Sequence, residues 1–129
     1  MIRKYLDDIG VKDRWDLWSK ADDPRHAEWE EQRNTYGFDE RETWSLDHTF
    51  YFWLYERLMM FKEVSIVNLE FHKFEYGGET LTQEQMIDGI LERLRFSFSE
   101  KYNSFDEKQF DYVHEIEKMW AVVLPAMWW

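Results

Sequence analysis

Apolar and polar residues along this chain recur mostly at the three- and four-residue spacing of amphipathic helices. The clearest segment, about residues 45–63, carries apolar side chains at helical spacing, namely Leu46, Phe50, Trp53, Leu54, Leu58 and Phe61. Further aromatic residues and methionines widen this stripe to most of the helix circumference. A helix that is apolar on nearly all sides belongs inside a domain, with other helices packed around it. We therefore predict that residues 45–63 form the central helix.

The residues before the central helix contain signals for shorter helices. Ile2–Ile9 has the pattern of a short amphipathic helix. Asp23 followed by Pro24 predicts the N-cap and the first residue of another helix, which Gly37 would end.

Two N-caps are available to the central helix. Asp39 with Glu42 three residues later fits a capping box, and Ser45 offers an alternative cap. The thirteen residues 36–48 thus combine a helix stop and a helix start, and they also hold a cluster of charges and a tryptophan.

The pattern changes after the central helix. Val67, Leu69 and Phe71 alternate with polar residues, which is the period of a β-strand. The pair Gly77-Gly78 then supplies a turn. The sequence therefore predicts a small hairpin over about residues 66–82.

Two more helices are predicted after the hairpin. Thr82 with Gln85 forms a capping box for the first of them, which runs to Phe98. Ser104 with Glu107 predicts the start of the second, and Pro125 would end it. We therefore expect one domain over residues 1–129, mainly α, as a compact helical bundle around the central aromatic helix with a small β-hairpin.

Composition narrows the classes of function. There is no cysteine, which excludes disulfides, thiolate metal sites and cysteine nucleophiles. The net charge of −11 argues against nucleic-acid binding, which needs a basic surface. The charged N-terminal residues 1–8 lack the apolar core of a signal peptide, and the apolar run within residues 50–61 is too short to span a bilayer. We expect a soluble protein without nucleic-acid or membrane partners.

Aromatic residues make up 19% of the chain and include eight tryptophans. They either fill the core of a small helical domain or line a pocket or a partner surface. The terminal pair Trp128-Trp129 is expected to dock into the core, with an exposed patch as the alternative. The aromatic excess also favours a homodimer or a larger assembly over a monomer.

Catalytic and metal sites have weak support. Asp23-x-x-His26 and Asp111-x-x-His114 have half of the spacing used in helical di-iron sites, but the further inward carboxylates are missing. The sequence has no nucleophile elbow, P-loop or dinucleotide fingerprint. We expect no catalytic residues, no bound metal and no cofactor.

The strongest candidate for a ligand site is the junction before the central helix. Its residues are Arg33, Tyr36, Arg41, Glu42, Trp44, Asp47 and Tyr51. An arginine fork beside aromatic faces is suited to a ligand with a phosphate and a base. The alternative is a network of salt bridges that clamps two helices, with Trp44 in the core. Both interpretations use the same residues.

The segment Tyr36-Gly37-Phe38-Asp39-Glu40-Arg41-Glu42-Thr43-Trp44-Ser45-Leu46-Asp47 resembles a motif of small bacteriophage and prophage proteins. In that motif a glycine is followed by an acidic residue and a tryptophan, and Leu-Asp then begins a long helix. The ending over residues 124–129 is similar to their aromatic C-termini. The resemblance implies a phage gene whose product acts in the cytoplasm of the bacterial host.

Three functions follow as hypotheses. The first is a non-enzymatic binding protein that sequesters a small nucleotide-like host molecule, such as a defence signal. Arg41 would hold its phosphate, Trp44 and Tyr36 would stack on its base, and Glu42 or Asp47 would accept hydrogen bonds. The second is a protein-binding inhibitor of a host enzyme or defence complex, with an acidic and aromatic surface. The third is a metal-dependent hydrolase.

Overall fold

The computed structural model describes residues 2–128, and the elements below refer to them. The helices are α1 (Lys4–Asp8), α2 (His26–Tyr36), α3 (Leu46–Val64), α4 (Gln83–Phe98) and α5 (Glu107–Val123). Strands β1 (Lys73–Tyr76) and β2 (Glu79–Thr82) pair as an antiparallel hairpin. Short 3-10 helices span Trp15–Leu17, Glu40–Thr43 and Leu124–Ala126. The chain is mainly helical with a small hairpin, which confirms the predicted fold class.

Contacts between residues divide the chain into two units, Met1–Glu56 and Arg57–Trp129. The first unit contains α1, α2 and the start of α3, and the second contains the end of α3 and the elements that follow. The expectation of a single domain stays a prediction.

The first unit buries large aromatic side chains beside aliphatic ones. Before α3, its buried apolar residues are Leu6, Val11, Trp15 and Trp29. From α3 it buries Tyr51, Phe52, Leu54 and Tyr55. α3 also leaves Leu46 and Trp53 exposed, so its wide apolar stripe is only partly covered.

The second unit is built on the packing of α4 against α5. α4 buries Met86, Ile87, Ile90, Leu91 and Leu94, and α5 buries Val113, Ile116, Met119 and Val123. Both sets follow the three- and four-residue spacing of one helical face. The capping box that begins α4 is confirmed, because Thr82 and Gln85 each accept a hydrogen bond from the other's backbone N–H.

Three predicted starts of helices were misplaced. α1 begins at Lys4 instead of Ile2. α2 begins at His26 instead of Pro24, because the Asp23 carboxylate accepts a hydrogen bond from the Arg25 backbone N–H and holds a turn there. α5 is capped by Asp106 instead of Ser104. The Asp106 carboxylate accepts a hydrogen bond from the Gln109 backbone N–H at 3.1 Å.

The structure also gives the ends of α2 and α5. Gly37 ends α2 as predicted, in the left-handed conformation with φ of 85°. α5 ends at Val123, and Pro125 lies in the 3-10 helix that follows.

The hairpin is shorter than predicted, because the first strand begins at Lys73. The Asn68 side chain accepts a hydrogen bond from the Glu70 backbone N–H, and this local turn replaces extended backbone. Phe71 is 85% exposed, so its place in an alternating pattern does not reflect burial. The Gly77-Gly78 turn is confirmed, with positive φ at both residues.

The expectation that the terminal tryptophans dock into the core is wrong for Trp128, which is 75% exposed. Trp129 lies outside the described residues. Within residues 2–128, no helix has the length and hydrophobicity that a membrane crossing requires.

Candidate functional site: an arginine–tryptophan ladder

The segment between α2 and α3 turns twice within ten residues. The Gly37 N–H donates to the Arg33 carbonyl, and the left-handed residue reverses the chain after α2. Asp39 then caps the 3-10 helix Glu40–Thr43, where its Oδ1 accepts from the Arg41 N–H at 3.0 Å. Asp39 was predicted to cap α3, but α3 begins only at Leu46, directly after the alternative cap Ser45.

The Asp39 carboxylate is buried and is held by two arginines. Arg41 donates from Nε at 3.0 Å and from Nη2 at 2.9 Å, and Arg33 donates from Nη1 at 2.6 Å. Burial is the largest single influence on the pKa of Asp39 and raises it. The hydrogen bonds from Arg41 and Arg33 together outweigh burial, so this pKa lies below its ordinary value. The carboxylate therefore stays charged and compensates the arginines.

Arg41 lies between two indole rings. Its guanidinium carbon is 5.2 Å from the centre of the Trp15 ring and 4.4 Å from that of Trp29. Both rings are buried, and Arg41 itself is only 5% exposed. A guanidinium over an aromatic face is attracted by the ring quadrupole, and more strongly when water is excluded.

Arg25 repeats this arrangement nearer to solvent. Its guanidinium carbon lies 4.9 Å from the Trp29 ring centre and 5.4 Å from that of Trp44. Arg25 also donates hydrogen bonds to the Asp23 carboxylate, from Nε at 3.1 Å and from Nη2 at 2.8 Å. These hydrogen bonds from the Arg25 side chain lower the pKa of Asp23 to about 2.

Further members extend the stack at both ends. Arg3 lies 5.4 Å from the Trp15 ring centre and is paired with Glu56. At the other end the Trp18 and Trp44 rings are nearly parallel, with an interplanar angle of 8° and centroids 6.5 Å apart. We call the whole series the arginine–tryptophan ladder; its order is Arg3, Trp15, Arg41, Trp29, Arg25, Trp44 and Trp18.

The structure brings together only some of the predicted ligand residues. Arg33 and Arg41 meet at Asp39, and Trp44 belongs to the ladder. The Tyr36 ring lies beside Phe38, with ring centroids 6.3 Å apart, and within residues 2–128 it forms no ring contact with Trp44.

The remaining predicted residues differ in their exposure to solvent. Tyr51 is buried, and Glu42 is half-buried. Asp47 is exposed, and a hydrogen bond from the Ser45 hydroxyl lowers its pKa. Arg33 and Arg41 share the Asp39 carboxylate, but Trp44 is 43% exposed and does not lie in the core as the clamp interpretation expected. The role of the predicted residues in ligand binding stays a prediction.

Sequence reasoning overlooked the ladder residues Trp15, Trp29 and Arg25. A local signal for them exists in the repeated pattern Asp-x-Arg, which occurs at Asp23-x-Arg25 and at Asp39-x-Arg41. In both copies the aspartate accepts from the arginine backbone N–H and from its guanidinium. The pattern therefore marks a planar cation that its own turn holds in place.

Two of the histidines contact neighbouring polar groups within the part of the chain that the structure describes. His26 Nε2 contacts the Lys20 carbonyl at 2.7 Å, while Asp23 is occupied by Arg25. His114 Nδ1 lies 2.9 Å from Glu117 Oε1. Among the side chains of residues 2–128, no group of three or more acidic or histidine residues is arranged to hold a metal ion.

The second unit contains a separate groove of about 300 Å³. Its lining residues are Val67, Asn68, Phe71, His72, Gln83, Ala126 and Trp128. Gln83 is buried, and its amide Nε2 donates to the Ala126 carbonyl at 3.2 Å, so the amide holds the 3-10 helix. The rim of the groove is aromatic, since Phe71 and Trp128 are both exposed.

No family model, curated protein or solved structure matches this chain. A functional assignment therefore depends on the chemistry and exposure of its own side chains. In the first unit, charged residues of the 36–48 segment are buried at its base, and aromatic residues of the same segment are exposed at its surface.

Proposed function

We propose that this chain is a non-enzymatic binding protein that holds a host protein through residues 36–47. The observation that carries the proposal is the division of this segment into a buried charged base and an exposed aromatic surface. Asp39 and Arg41 are buried, whereas Tyr36 is 69%, Phe38 47% and Trp44 43% exposed. Exposed aromatic side chains on a rigid base are typical of the residues that dominate binding energy in protein interfaces.

The charge of the chain indicates the kind of partner. A net charge of −11 favours a basic surface, and it accelerates association by electrostatic steering. The resemblance to small phage proteins supports a role in the bacterial cytoplasm, as an inhibitor of a host enzyme or defence complex. Such an inhibitor needs no catalytic residues or cofactor.

Affinity capture from host lysate tests this proposal. The wild-type chain is compared with a Tyr36→Ser, Phe38→Ser double variant and with a matched Ile66→Ser, Phe105→Ser control, whose residues are also exposed. We expect one host protein to be retained in a fixed ratio by the wild type and the control, and to be lost from the Tyr36/Phe38 variant. Equal retention by all three chains, or retention by none, contradicts the proposal.

Sequestration of a nucleotide-like molecule is the second candidate, and one observation favours it. The Arg25 side chain is 52% exposed and lies over Trp44, which is also partly exposed. In this form Arg25 would contact the phosphate, because its guanidinium reaches solvent whereas Arg41 is buried against Asp39. Trp44 lies between Arg25 and Trp18, so it would contact the base with the part of its ring that is exposed.

A thermal-shift screen with a panel of nucleotides tests sequestration, followed by recovery of the intact ligand after denaturation. Arg25→Ala and Trp44→Ala should both abolish the shift, while Lys108→Ala in α5 should leave it unchanged. Absence of a shift with every nucleotide of the panel removes this candidate.

A further inference from the structure

We propose that the outer end of the ladder, formed by Trp18 and Asp13, binds an arginine side chain of the partner protein. The inference deepens the proposed function and rests on it for the identity of the partner as a protein. It names the chemistry that the partner presents, a guanidinium on a basic segment.

The internal arginines of the ladder follow one rule. Each of them has an indole face and a carboxylate at the same time. Arg3 has Trp15 and Glu56, and Arg41 has the faces of Trp15 and Trp29 with Asp39. Arg25 obeys the same rule with Trp29, Trp44 and Asp23. The fold thus uses indole and carboxylate together as its device for holding a guanidinium.

Trp18 and Asp13 have the same two components. The Trp18 Nε1–H donates to Asp13 Oδ1 at 2.8 Å, which fixes a carboxylate at the edge of the ring. Trp18 is half-buried and Asp13 is exposed. Within residues 2–128, no cationic side chain lies over the Trp18 ring, and Asp13 forms no ion pair. An incoming guanidinium would continue the order of the ladder.

The charges near this end favour a cation over a phosphate. Asp23 raises the pKa of Arg25 through its hydrogen bond, and the more distant carboxylates of Glu40 and Glu28 raise it further. Arg25 is already paired with Asp23, so Glu28 and Glu40 add negative charge around it. Asp13 adds a further carboxylate at the edge of the Trp18 ring.

Arginine fits this site better than lysine. A guanidinium is planar, stacks on an indole face and presents a fork of N–H donors to a carboxylate. An ammonium is compact and strongly hydrated, so it gains less from a flat ring. Selectivity between peptides of equal charge therefore separates this recognition from general attraction to an acidic protein.

The probes are hexa-arginine and hexa-lysine peptides, titrated into the full chain by calorimetry at about 150 mM NaCl, where exposed charges are well screened. We expect hexa-arginine to bind about fivefold more tightly than hexa-lysine, with a shift of the Trp18 Nε1–H resonance in NMR spectra. Asp13→Asn should remove this preference. Glu100→Gln makes the same charge change at an exposed residue of the second unit and should retain the preference.

Trp18→Leu is a second variant that removes the ring, and its circular dichroism spectrum checks that it is folded. Equal affinity for the two peptides overturns the inference, and so does an equal response of Asp13→Asn and Glu100→Gln. If hexa-arginine binds at Trp18 but no host protein is captured, the arginine site stands and the proposed function fails. If a host protein is captured but hexa-arginine does not displace it, the proposed function stands and the inference fails.

Discussion

The Arg41 guanidinium carbon lies 4.4 Å from the centre of the Trp29 ring, and both side chains are buried. The same guanidinium forms a fork to the buried Asp39 carboxylate. A cation in this setting is compensated on its edge by a carboxylate and on its face by an indole. The 36–48 segment therefore has a rigid charged base, and mutations there should affect stability first.

Arg41→Lys should destabilise the chain although it keeps the positive charge. Lysine lacks the planar fork and the stacking surface, so we expect a loss below the roughly 3 kcal/mol that removal of one partner from a buried ion pair costs. Urea denaturation followed by circular dichroism measures the loss. Lys101→Arg, at an exposed residue, serves as the control with little expected change. Equal stability of wild type and Arg41→Lys would contradict a buried role.

Asp39→Asn should destabilise the chain at neutral pH and lose this effect in acid. The folded pKa of Asp39 lies below its ordinary value, so the folded state binds this proton less readily than the unfolded state. The contribution of Asp39 is complete above its ordinary pKa of about 4 and declines as the pH falls through the folded pKa. Urea denaturation of both chains between about pH 7 and pH 3 measures the difference between their free energies of unfolding. If this difference does not become smaller in acid, the stabilising role of the charged Asp39 carboxylate is contradicted.

Trp29 and Trp44 should separate stability from binding. Trp29→Leu removes a fully buried ring between two arginines and should cost about 3 kcal/mol. Trp44→Leu changes a ring that is 43% exposed, so we expect a smaller loss of stability and a clear loss of host-protein capture. Thermal unfolding and affinity capture on both variants make the comparison. A larger loss of stability in Trp44→Leu than in Trp29→Leu would contradict the deeper burial of Trp29.

Thr82→Ala should weaken the start of α4 by about 1 kcal/mol, because it removes one half of the capping box. Thr80→Ala is the matched control, since the Thr80 hydroxyl contacts only the exposed Glu75 carboxylate among the hydrogen bonds of residues 2–128. Hydrogen exchange of the first amides of α4 should rise in Thr82→Ala alone. Equal exchange in the two variants would show that the cap has no local effect.

The exposed aromatic rim in the second unit supports the expected self-association. Phe71 and Trp128 flank one groove, and exposed apolar side chains of this size favour contact with another surface. Light scattering should give a mass above that of one chain for the wild type and the mass of one chain for a Phe71→Ser, Trp128→Ser variant. Phe105→Ser, at a residue that is 97% exposed and outside the groove, should not change the mass. A wild type that is monomeric at every concentration contradicts this prediction.

Much of the helical architecture could be read from local sequence. The end of α2 at Gly37 and the capping box of α4 depend on a few neighbouring residues, and both occur as predicted. Two of the errors share a cause, because a short side chain that binds its own backbone competes with regular structure. Asp23 delays the start of α2 in this way, and Asn68 replaces the first half of the predicted hairpin strand.

The candidate site could be predicted only in part. The sequence places Arg41 and Trp44 one helical turn apart, and that proximity is compatible with a clamp or with a pocket. Trp15 and Trp29 are distant from Arg41 in sequence, so their rings come to lie around its guanidinium only when the first unit folds. No local pattern specifies which charge of an acidic, aromatic-rich chain becomes buried.

By itself, the sequence determined the helical class, the stop at Gly37, the capping box at Thr82, the absence of thiol chemistry and the acidic charge, because each depends on composition or on neighbouring residues. Tertiary structure alone decided that Asp39 and Arg41 are buried while Tyr36, Phe38 and Trp44 reach solvent. Burial depends on which distant side chains come together. That choice arranged arginines and tryptophans in alternation and left Trp18 with Asp13 at the outer end.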